Sequence, residues 1–145
     1  MQPGVNSSVE AGEYILDTHA LFAYLGDESG SEQVSELLEM ANNGKCRLYM
    51  CVVNLGEVLY IADRERGPSE ARDTLAWIDE MPIEVVDVDR AMTLTAAHLK
   101  AVCPIAYADC FAAALAQNKN ATLVTGDPEF RKLKPEWGVR VEWVE

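Results

Sequence analysis

Four acidic residues stand in apolar surroundings, apart from the other acids of this chain. Asp17 ends the run EYILD, Glu57 lies in VVNLGEVLY, Asp109 in PIAYADCFAAALA and Asp127 in LVTGDPEF. An ionised carboxylate is costly to bury unless it is paired or binds a metal ion. These four side chains are therefore the candidate catalytic and metal-binding residues.

The chemistry that these acids support depends on whether the folded chain brings their carboxylates into one cleft. Carboxylates in one cleft would repel each other by about 3 kcal/mol per pair, at a separation of about 5 Å and an effective dielectric constant near 20. A hard divalent cation relieves that repulsion, and oxygen ligands are those that Mg²⁺ and Mn²⁺ prefer. Such ions activate water and stabilise charge during cleavage of phosphodiester bonds. The residue types thus indicate metal-assisted hydrolysis.

Local structural roles remain open for three of these acids. Asp17 and Asp127 each stand where a helix N-cap is expected, and Asp is a favoured N-cap residue. Thr18 is an alternative cap that would leave Asp17 free. Asn54 and Glu57 have the spacing of a capping box.

Asp109 has the least obvious local role. Residues 101–116 contain no other acidic residue and no basic one. A position early in an alanine-rich helix is favourable for a carboxylate, because the helix dipole places positive charge there. We therefore expect Asp109 to be functional.

Five strand-like runs alternate with helical patterns along the chain. The runs lie at residues 14–16, 47–53, 83–88, 121–126 and 139–144. Helices are predicted at 18–25, from a Ser29–Glu32 capping box to Gly44, at 55–65, at 69–81, from an Asp89 cap through Lys100, and at 105–118. This alternation predicts an α/β fold with a largely parallel sheet. Ligands bind beyond the carboxyl ends of strands in such sheets, and Asp17 and Asp127 follow the first and fourth strands.

The whole chain is predicted to form one domain. Its 145 residues, 49% of them hydrophobic and 25% charged, are typical of a globular protein. Residues 1–12 are predicted to be a flexible leader, since they lack the basic start and apolar stretch of a secretory signal, and residues 13–145 to be the domain. No apolar run approaches the roughly 18 residues of a membrane span. We expect a cytoplasmic protein.

Zinc chemistry is not indicated. The four cysteines lack CxxC spacing and only two histidines occur, whereas zinc sites need clustered thiolates or imidazoles. Cys51 and Cys110 lie in apolar sequence, which indicates reduced, buried thiols.

Net charge argues against a nucleic-acid ligand. The formal charge is −12, from 24 acidic and 12 basic residues, whereas nucleic-acid-binding proteins usually carry a basic footprint. A nucleic-acid substrate would therefore need a local positive patch. Basic residues cluster after the Glu57 helix, at Arg64 and Arg66, and after Asp127, at Arg131, Lys132 and Lys134.

The ordered set ILDTHAL, VNLGEVLY, IAYADCFAAALA and LVTGDPEF resembles the PIN domain, and within it the VapC-type toxin ribonucleases. The resemblance spans about residues 13–145. It implies a three-layer α/β/α fold with a five-stranded parallel sheet in the order 3-2-1-4-5. It also implies a Mg²⁺- or Mn²⁺-dependent endoribonuclease with its acidic site at the ends of strands one and four.

Functional positions follow from the resemblance residue by residue. Asp17, Glu57, Asp109 and Asp127 fall on the four acidic positions of the family. Thr125 matches the hydroxyl that accompanies them, and Asn54 matches a polar position three residues before the Glu. His19 matches no catalytic position and is treated as incidental.

The resemblance also implies partners: an RNA substrate, a homodimer, and an antitoxin that blocks the acidic cleft. An arginine of that antitoxin is expected to enter the cleft, because its planar guanidinium binds carboxylates in a bidentate manner. Arg131 and Lys132 are the candidate RNA-binding residues, with solvated surface charge as the competing interpretation. The acidic net charge departs from what an RNA-binding protein normally shows.

Other interpretations fit fewer residues. A haloacid-dehalogenase-type phosphatase needs a second Asp two residues after the first, where this chain has His19. A receiver domain needs its Asp at the end of the third strand, near Asp87, and gives Glu57 no role. A PIN-like module in RNA processing that binds RNA or a partner without cleaving is the alternative within the family.

Overall fold

The computed structural model describes residues 11–145 of the chain. Within them, five strands form one sheet: β1 (Glu13–Leu16), β2 (Arg47–Cys51), β3 (Ile83–Val86), β4 (Thr122–Thr125) and β5 (Val141–Trp143). The helices are α1 (Thr18–Leu25), α2 (Ser31–Asn42), α3 (Val52–Arg66), α4 (Pro68–Glu80), α5 (Arg90–Val102) and α6 (Tyr107–Lys119). Two short 3₁₀ helices, Pro128–Lys132 and Pro135–Trp137, connect β4 to β5.

All neighbouring strands of the sheet are parallel, in the order β3-β2-β1-β4-β5. The predicted topology is confirmed. β1 pairs with β2 on one side and with β4 on the other, so the strand order reverses between β1 and β4. A crevice opens beyond the carboxyl ends of the strands at such a point.

Two hydrophobic cores cover the two faces of the sheet. Ile15 and Leu123 pack with α5 and α6, whereas Leu16 and Val124 pack with the helices α1 to α4. Successive side chains of a strand point to opposite faces, so the three-layer α/β/α arrangement follows. Burial of both faces is typical of parallel sheets, and it accounts for strands that are apolar throughout.

The start of α3 differs from the prediction. The strand predicted for residues 47–53 ends at Cys51, and α3 begins at Val52 instead of residue 55. Val53 packs against the core formed with α5 and α6, so tertiary packing overrides the β propensity of the valines. The N-cap is Cys51, without a side-chain cap hydrogen bond, so the capping box that the spacing of Asn54 and Glu57 left open does not form.

The capping box predicted for α2 is also wrong. The helix begins at Ser31, with Gly30 as its N-cap and no side-chain cap hydrogen bond. Gly30 has a φ of 96°, and a Cβ added to it would lie 3.1 Å from the Cβ of Val144. This left-handed turn against the end of the chain moves the helix start beyond Ser29.

The other elements fall close to their predicted positions. Asp89 caps α5 by accepting the backbone N–H of Met92 at 2.8 Å, as predicted. β3 and β5 are shorter than the predicted runs at residues 83–88 and 139–144. α6 begins at Tyr107 instead of residue 105. Ile105 belongs to the loop between α5 and α6, where its side chain is buried in the core that these two helices form with the sheet.

Three further predictions concern the chain as a whole. Most of the predicted leader, residues 1–10, lies outside the described residues. No helix in residues 11–145 is long and apolar enough to cross a membrane. The four cysteines are free and buried, as the apolar sequence around Cys51 and Cys110 predicted.

Candidate active site

The carboxyl ends of β1 and β4 bring Asp17, Thr125 and Asp127 together. The two strands pair in register up to Leu16 and Val124, so the next residues, Asp17 and Thr125, are neighbours. The Thr125 hydroxyl donates a hydrogen bond to Asp17 Oδ2 and accepts one from the Asp127 backbone N–H at 3.0 Å. Because that N–H can only donate, the hydroxyl proton is directed at the Asp17 carboxylate.

Asp17 is both a helix cap and a member of this site. Its Oδ1 accepts the backbone N–H of Ala20 at 2.7 Å, which caps α1. Its side chain is nearly inaccessible, with the residue 2% exposed. Asp127 likewise caps the first 3₁₀ helix by accepting the Glu129 N–H at 2.9 Å. Capping therefore fixes the positions of both carboxylates at the cleft, and it is compatible with a second role of these side chains in binding a ligand.

Asn54 joins three helices beneath the cleft. It is fully buried, and its Nδ2 donates to the backbone carbonyl of Ala108 in α6 at 3.2 Å. Its own backbone carbonyl accepts the Thr18 hydroxyl of α1 at 3.4 Å, so Thr18 does not cap α1 as proposed from the sequence. Among the described residues, Asn54 Oδ1 has no hydrogen-bond partner.

Asp109 and Glu57 approach the same cleft from α6 and α3. Asp109 lies in the first turn of α6, directly after the Ala108 carbonyl that Asn54 holds, and it is 9% exposed. Glu57 is three residues after Asn54 and half-buried, so both side chains lie on one face of α3. The carboxylates of Glu57 and Asp127 act electrostatically on Asp109. The fold therefore brings all four acids predicted from the sequence into one electrostatic neighbourhood.

The surroundings of the two buried aspartates disfavour their charged forms. The pKa of Asp17 is raised to about 7, mainly by burial and to a smaller extent by the charges of Asp109 and Asp127, against the lowering effect of its two hydrogen bonds. Burial is also the main cause that raises the pKa of Asp109 to about 7, followed by the charge of Asp127 and other acids. None of the ion pairs found in residues 11–145 includes Asp17, Glu57, Asp109 or Asp127, and the pair nearest to them joins Lys132 to Glu129.

This donor set fits a hard divalent cation. Its members are carboxylate oxygens that form no ion pair with a basic side chain of residues 11–145, and the amide oxygen of the nearby Asn54 has no hydrogen-bond partner among the same residues. In residues 11–145 no three acidic, histidine or cysteine side chains are arranged to hold a metal ion together. Mg²⁺ is commonly bound through only one or two carboxylates, with water in the remaining positions. Asp17 and Asp109 therefore suit direct ligation, and Glu57 and Asp127 suit contact through water.

Sequence reasoning overlooked two neighbours of the site. The exposed His19 was treated as incidental, yet a Cβ added to Gly126 would lie 2.6 Å from its Cε1, so the imidazole packs on the loop between Thr125 and Asp127. Glu129 was not singled out, and its charge adds to the rise in the pKa of Asp109. Neither contact has a local sequence signal, because each depends on how separate elements pack.

Solved structures with the same fold include VapBC complexes and a VapC toxin. VapBC2 from Rickettsia felis, bound to a DNA fragment from its promoter, aligns with a TM-score of 0.71 and 20% identity over 92% of this chain and 99% of that one. DNA-bound VapBC from Salmonella typhimurium gives 0.70 and 20% over 90% and 96%. VapC20 of Mycobacterium tuberculosis, a toxin that cleaves the sarcin–ricin loop, gives 0.64 and 15% over 81% and 92%.

Sequence comparison identifies the family independently of these structures. A search of curated proteins found no match. The family model of the PIN domain matches residues 14–135. That span contains both paired strands of the cleft, all four acids, Asn54 and Thr125. The chain belongs to the PIN domain family.

Proposed function

We propose that this chain is a metal-dependent endoribonuclease and the toxin component of a VapBC-like toxin–antitoxin pair. The observation that carries the proposal is the pair of buried aspartates, Asp17 and Asp109, each with a pKa raised to about 7 and without an ion-pair partner in residues 11–145. A buried carboxylate is costly to ionise unless it is paired or binds a metal ion. Their position beside Glu57 and Asp127 therefore supports a site that binds a cation.

Each residue of the cleft has a defined part in this proposal. Asp17 is held by the Thr125 hydroxyl and by the Ala20 N–H, so its carboxylate is fixed before any ligand arrives. Asp109 is fixed through α6, whose first turn Asn54 ties to α3. We assign direct metal ligation to these two aspartates and water-mediated contacts to Glu57 and Asp127. When bound, Mg²⁺ or Mn²⁺ would supply an activated water and neutralise charge on the phosphate.

Partners are part of the same proposal. The structural neighbours from Rickettsia felis and Salmonella typhimurium are VapBC complexes, which supports an antitoxin for this chain. We propose that a basic side chain of that antitoxin enters the cleft, because the acids lack a cationic partner there. A homodimer and a cytoplasmic location complete the proposal, the latter supported by four reduced, buried thiols.

The test is cleavage of single-stranded RNA by the purified protein in Mn²⁺, with Asp109→Asn as the variant. We expect its activity to fall by about 100-fold or more. Glu70→Gln is the matched control, since Glu70 lies in the first turn of α4 as Asp109 lies in that of α6, and it should cleave like the wild type. Equal cleavage by the wild type and Asp109→Asn would remove Asp109 from the active site. RNA binding without any cleavage would favour the non-cleaving RNA-binding module instead.

A further inference from the structure

Three lysines from different parts of the chain surround the loop between α5 and α6. Lys100 in α5 donates from Nζ to the carbonyl of Ile105 at 2.7 Å. Lys132, in the first 3₁₀ helix, donates from Nζ to the preceding carbonyl, that of Pro104, at 3.3 Å. Lys134 follows two residues later, with its Nζ at the longer distance of 5.8 Å from the centroid of the Trp137 ring, and it acts on the charge of Cys103 together with the other two lysines. We call Lys100, Lys132 and Lys134 the lysine patch.

The three ammonium groups share one location. All of them lie close enough to the buried Cys103 to lower the pKa of its thiol, although burial has the larger, opposite effect. Lys100 and Lys132 are exposed, and each is anchored on a backbone carbonyl. Elsewhere, basic side chains such as Arg47 and Arg66 pair with glutamates. The patch is thus a concentration of positive charge on a chain whose net charge is −12.

The patch borders the acidic cleft. Lys132 forms an ion pair with Glu129 at 2.8 Å, and Glu129 is close enough to Asp109 to act on its charge. Asp127 in turn acts on Lys132. The loop that Lys100 and Lys132 hold leads directly into the first turn of α6, where Asp109 lies. Asp109, Glu129 and Lys132 therefore form a series of interacting charges that links the acidic cleft to the lysine patch.

An exposed aromatic ring lies at the first residue of α6, directly after the loop that the lysines hold. Tyr107 is 46% exposed, two residues after the carbonyl that Lys100 holds and two before Asp109. Its ring packs edge-to-face on the buried Phe111, with centroids 4.9 Å apart, so its position is fixed. Bases of a single strand stack on such rings with little dependence on sequence.

Arg131, one of the two candidate RNA-binding residues, is engaged elsewhere. Its guanidinium lies over the ring of Trp143 in β5, with Cζ 4.4 Å from the centroid. Lys132, its neighbour in sequence, faces the α5–α6 loop. The two adjacent side chains therefore lie on different surfaces, that of Arg131 against β5 and that of Lys132 against the α5–α6 loop.

We propose that the lysine patch and Tyr107 form the path of the RNA strand beside the acidic cleft, with the lysines contacting backbone phosphates and Tyr107 stacking on a base. This inference rests on the proposed ribonuclease function. Arg131 has no part in the path. Glu129 weakens the contact of Lys132 with phosphate, since phosphate must compete with its carboxylate.

The experiment measures binding of a fluorescein-labelled single-stranded oligoadenylate across a range of salt concentrations, in the Asp17→Asn background to prevent cleavage. Two double variants are compared: Lys100→Gln with Lys132→Gln, and Arg66→Gln with Arg131→Gln. Both remove two positive charges, so they have the same net charge. Glutamine at 100 and 132 keeps an N–H donor for the loop carbonyls.

The lysine double variant should bind at least about 10-fold more weakly at low salt, and its slope of log affinity against log salt should fall by about 1.4, or about 0.7 for each lost phosphate contact. The arginine double variant should keep the parent slope. Tyr107→Leu should lower affinity at least about fivefold without changing the slope. Glu129→Gln should tighten binding.

The outcomes separate this inference from the function on which it rests. If both double variants bind with the parent affinity and slope while the wild type cleaves the RNA, the path is refuted and the ribonuclease stands. If the two double variants weaken equally, only net charge matters and the path is also refuted. If the Asp17→Asn parent does not bind and the wild type does not cleave, both proposals fail together.

Discussion

The N-termini of α1 and α5 are built alike and differ in what surrounds them. Asp17 accepts the N–H of Ala20 at 2.7 Å, and Asp89 accepts that of Met92 at 2.8 Å. Asp89 is exposed to solvent, whereas Asp17 is 2% exposed and has its pKa raised to about 7. An N-cap does not require burial, so the location of Asp17 beyond β1 and beside β4 needs a second reason. We take that reason to be the cleft.

Replacing the carboxylates of Asp17 and Asp89 by amides should produce the largest difference between the two helix N-termini. Asn is as good an N-cap as Asp, so both helices should persist in Asp17→Asn and in Asp89→Asn. We expect Asp17→Asn to lose about 100-fold or more of RNA cleavage in Mn²⁺, and Asp89→Asn to keep wild-type activity. Initial rates with equal protein concentrations measure this, and circular dichroism checks the fold. Equal rates in the two variants would leave Asp17 a cap and nothing more.

The pH dependence of stability gives the next largest contrast. In metal-free buffer, folded Asp17 holds its proton up to about pH 7, whereas an unfolded Asp releases it near pH 3.9. Between these values the native state binds more protons, so the free energy of unfolding falls as pH rises. We expect Asp17 to account for a loss of about 2–3 kcal/mol from pH 5 to pH 8, and Asp109, whose pKa is also raised to about 7, adds to this loss in the wild type.

Urea unfolding across this pH window measures the effect. Asp17→Asn should show a shallower decline, with the remainder coming from Asp109, and it should be more stable than the wild type at pH 8. Asp89→Asn should decline in parallel with the wild type. Parallel curves for the wild type and Asp17→Asn would contradict the raised pKa.

Sequence reasoning captured the parts of the site that local patterns specify. The apolar run ending at Asp17 and the one before Thr125 predicted two strand ends, and a parallel sheet aligns such ends. The spacing of Asn54 and Glu57 left a capping box open beside the supporting role that the resemblance implies for Asn54, and only the structure shows that the amide points inward to α6. Lys100 could not be linked to the site from sequence, because its contact depends on the packing of α5 against the start of α6.

Two threonines, one bonded to each capping aspartate, should show a smaller difference between the two N-termini. Thr125 donates to the Asp17 carboxylate and accepts the Asp127 N–H, whereas the exposed bond of Thr93 joins its hydroxyl to the Asp89 carbonyl at 2.9 Å. Thr125→Val should reduce the free energy of unfolding by about 1–3 kcal/mol, because buried polar groups lose their partner. Thr93→Val should change it by less than about 0.5 kcal/mol. Chemical denaturation at pH 8 measures both, and equal small effects would show that the Thr125 link does not stabilise the site.

The most direct test of the central claim is calorimetric titration of Mn²⁺ into the wild type, Asp17→Asn and Asp89→Asn. We predict that the wild type and Asp89→Asn bind with the same affinity, and that Asp17→Asn binds at least about 10-fold more weakly. At tenfold excess over Kd, the ion should also stabilise the wild type by about 1.4 kcal/mol. Absence of binding heat in the wild type, or the same affinity in Asp17→Asn, would contradict the assignment of a cation site to the cleft beyond β1 and β4.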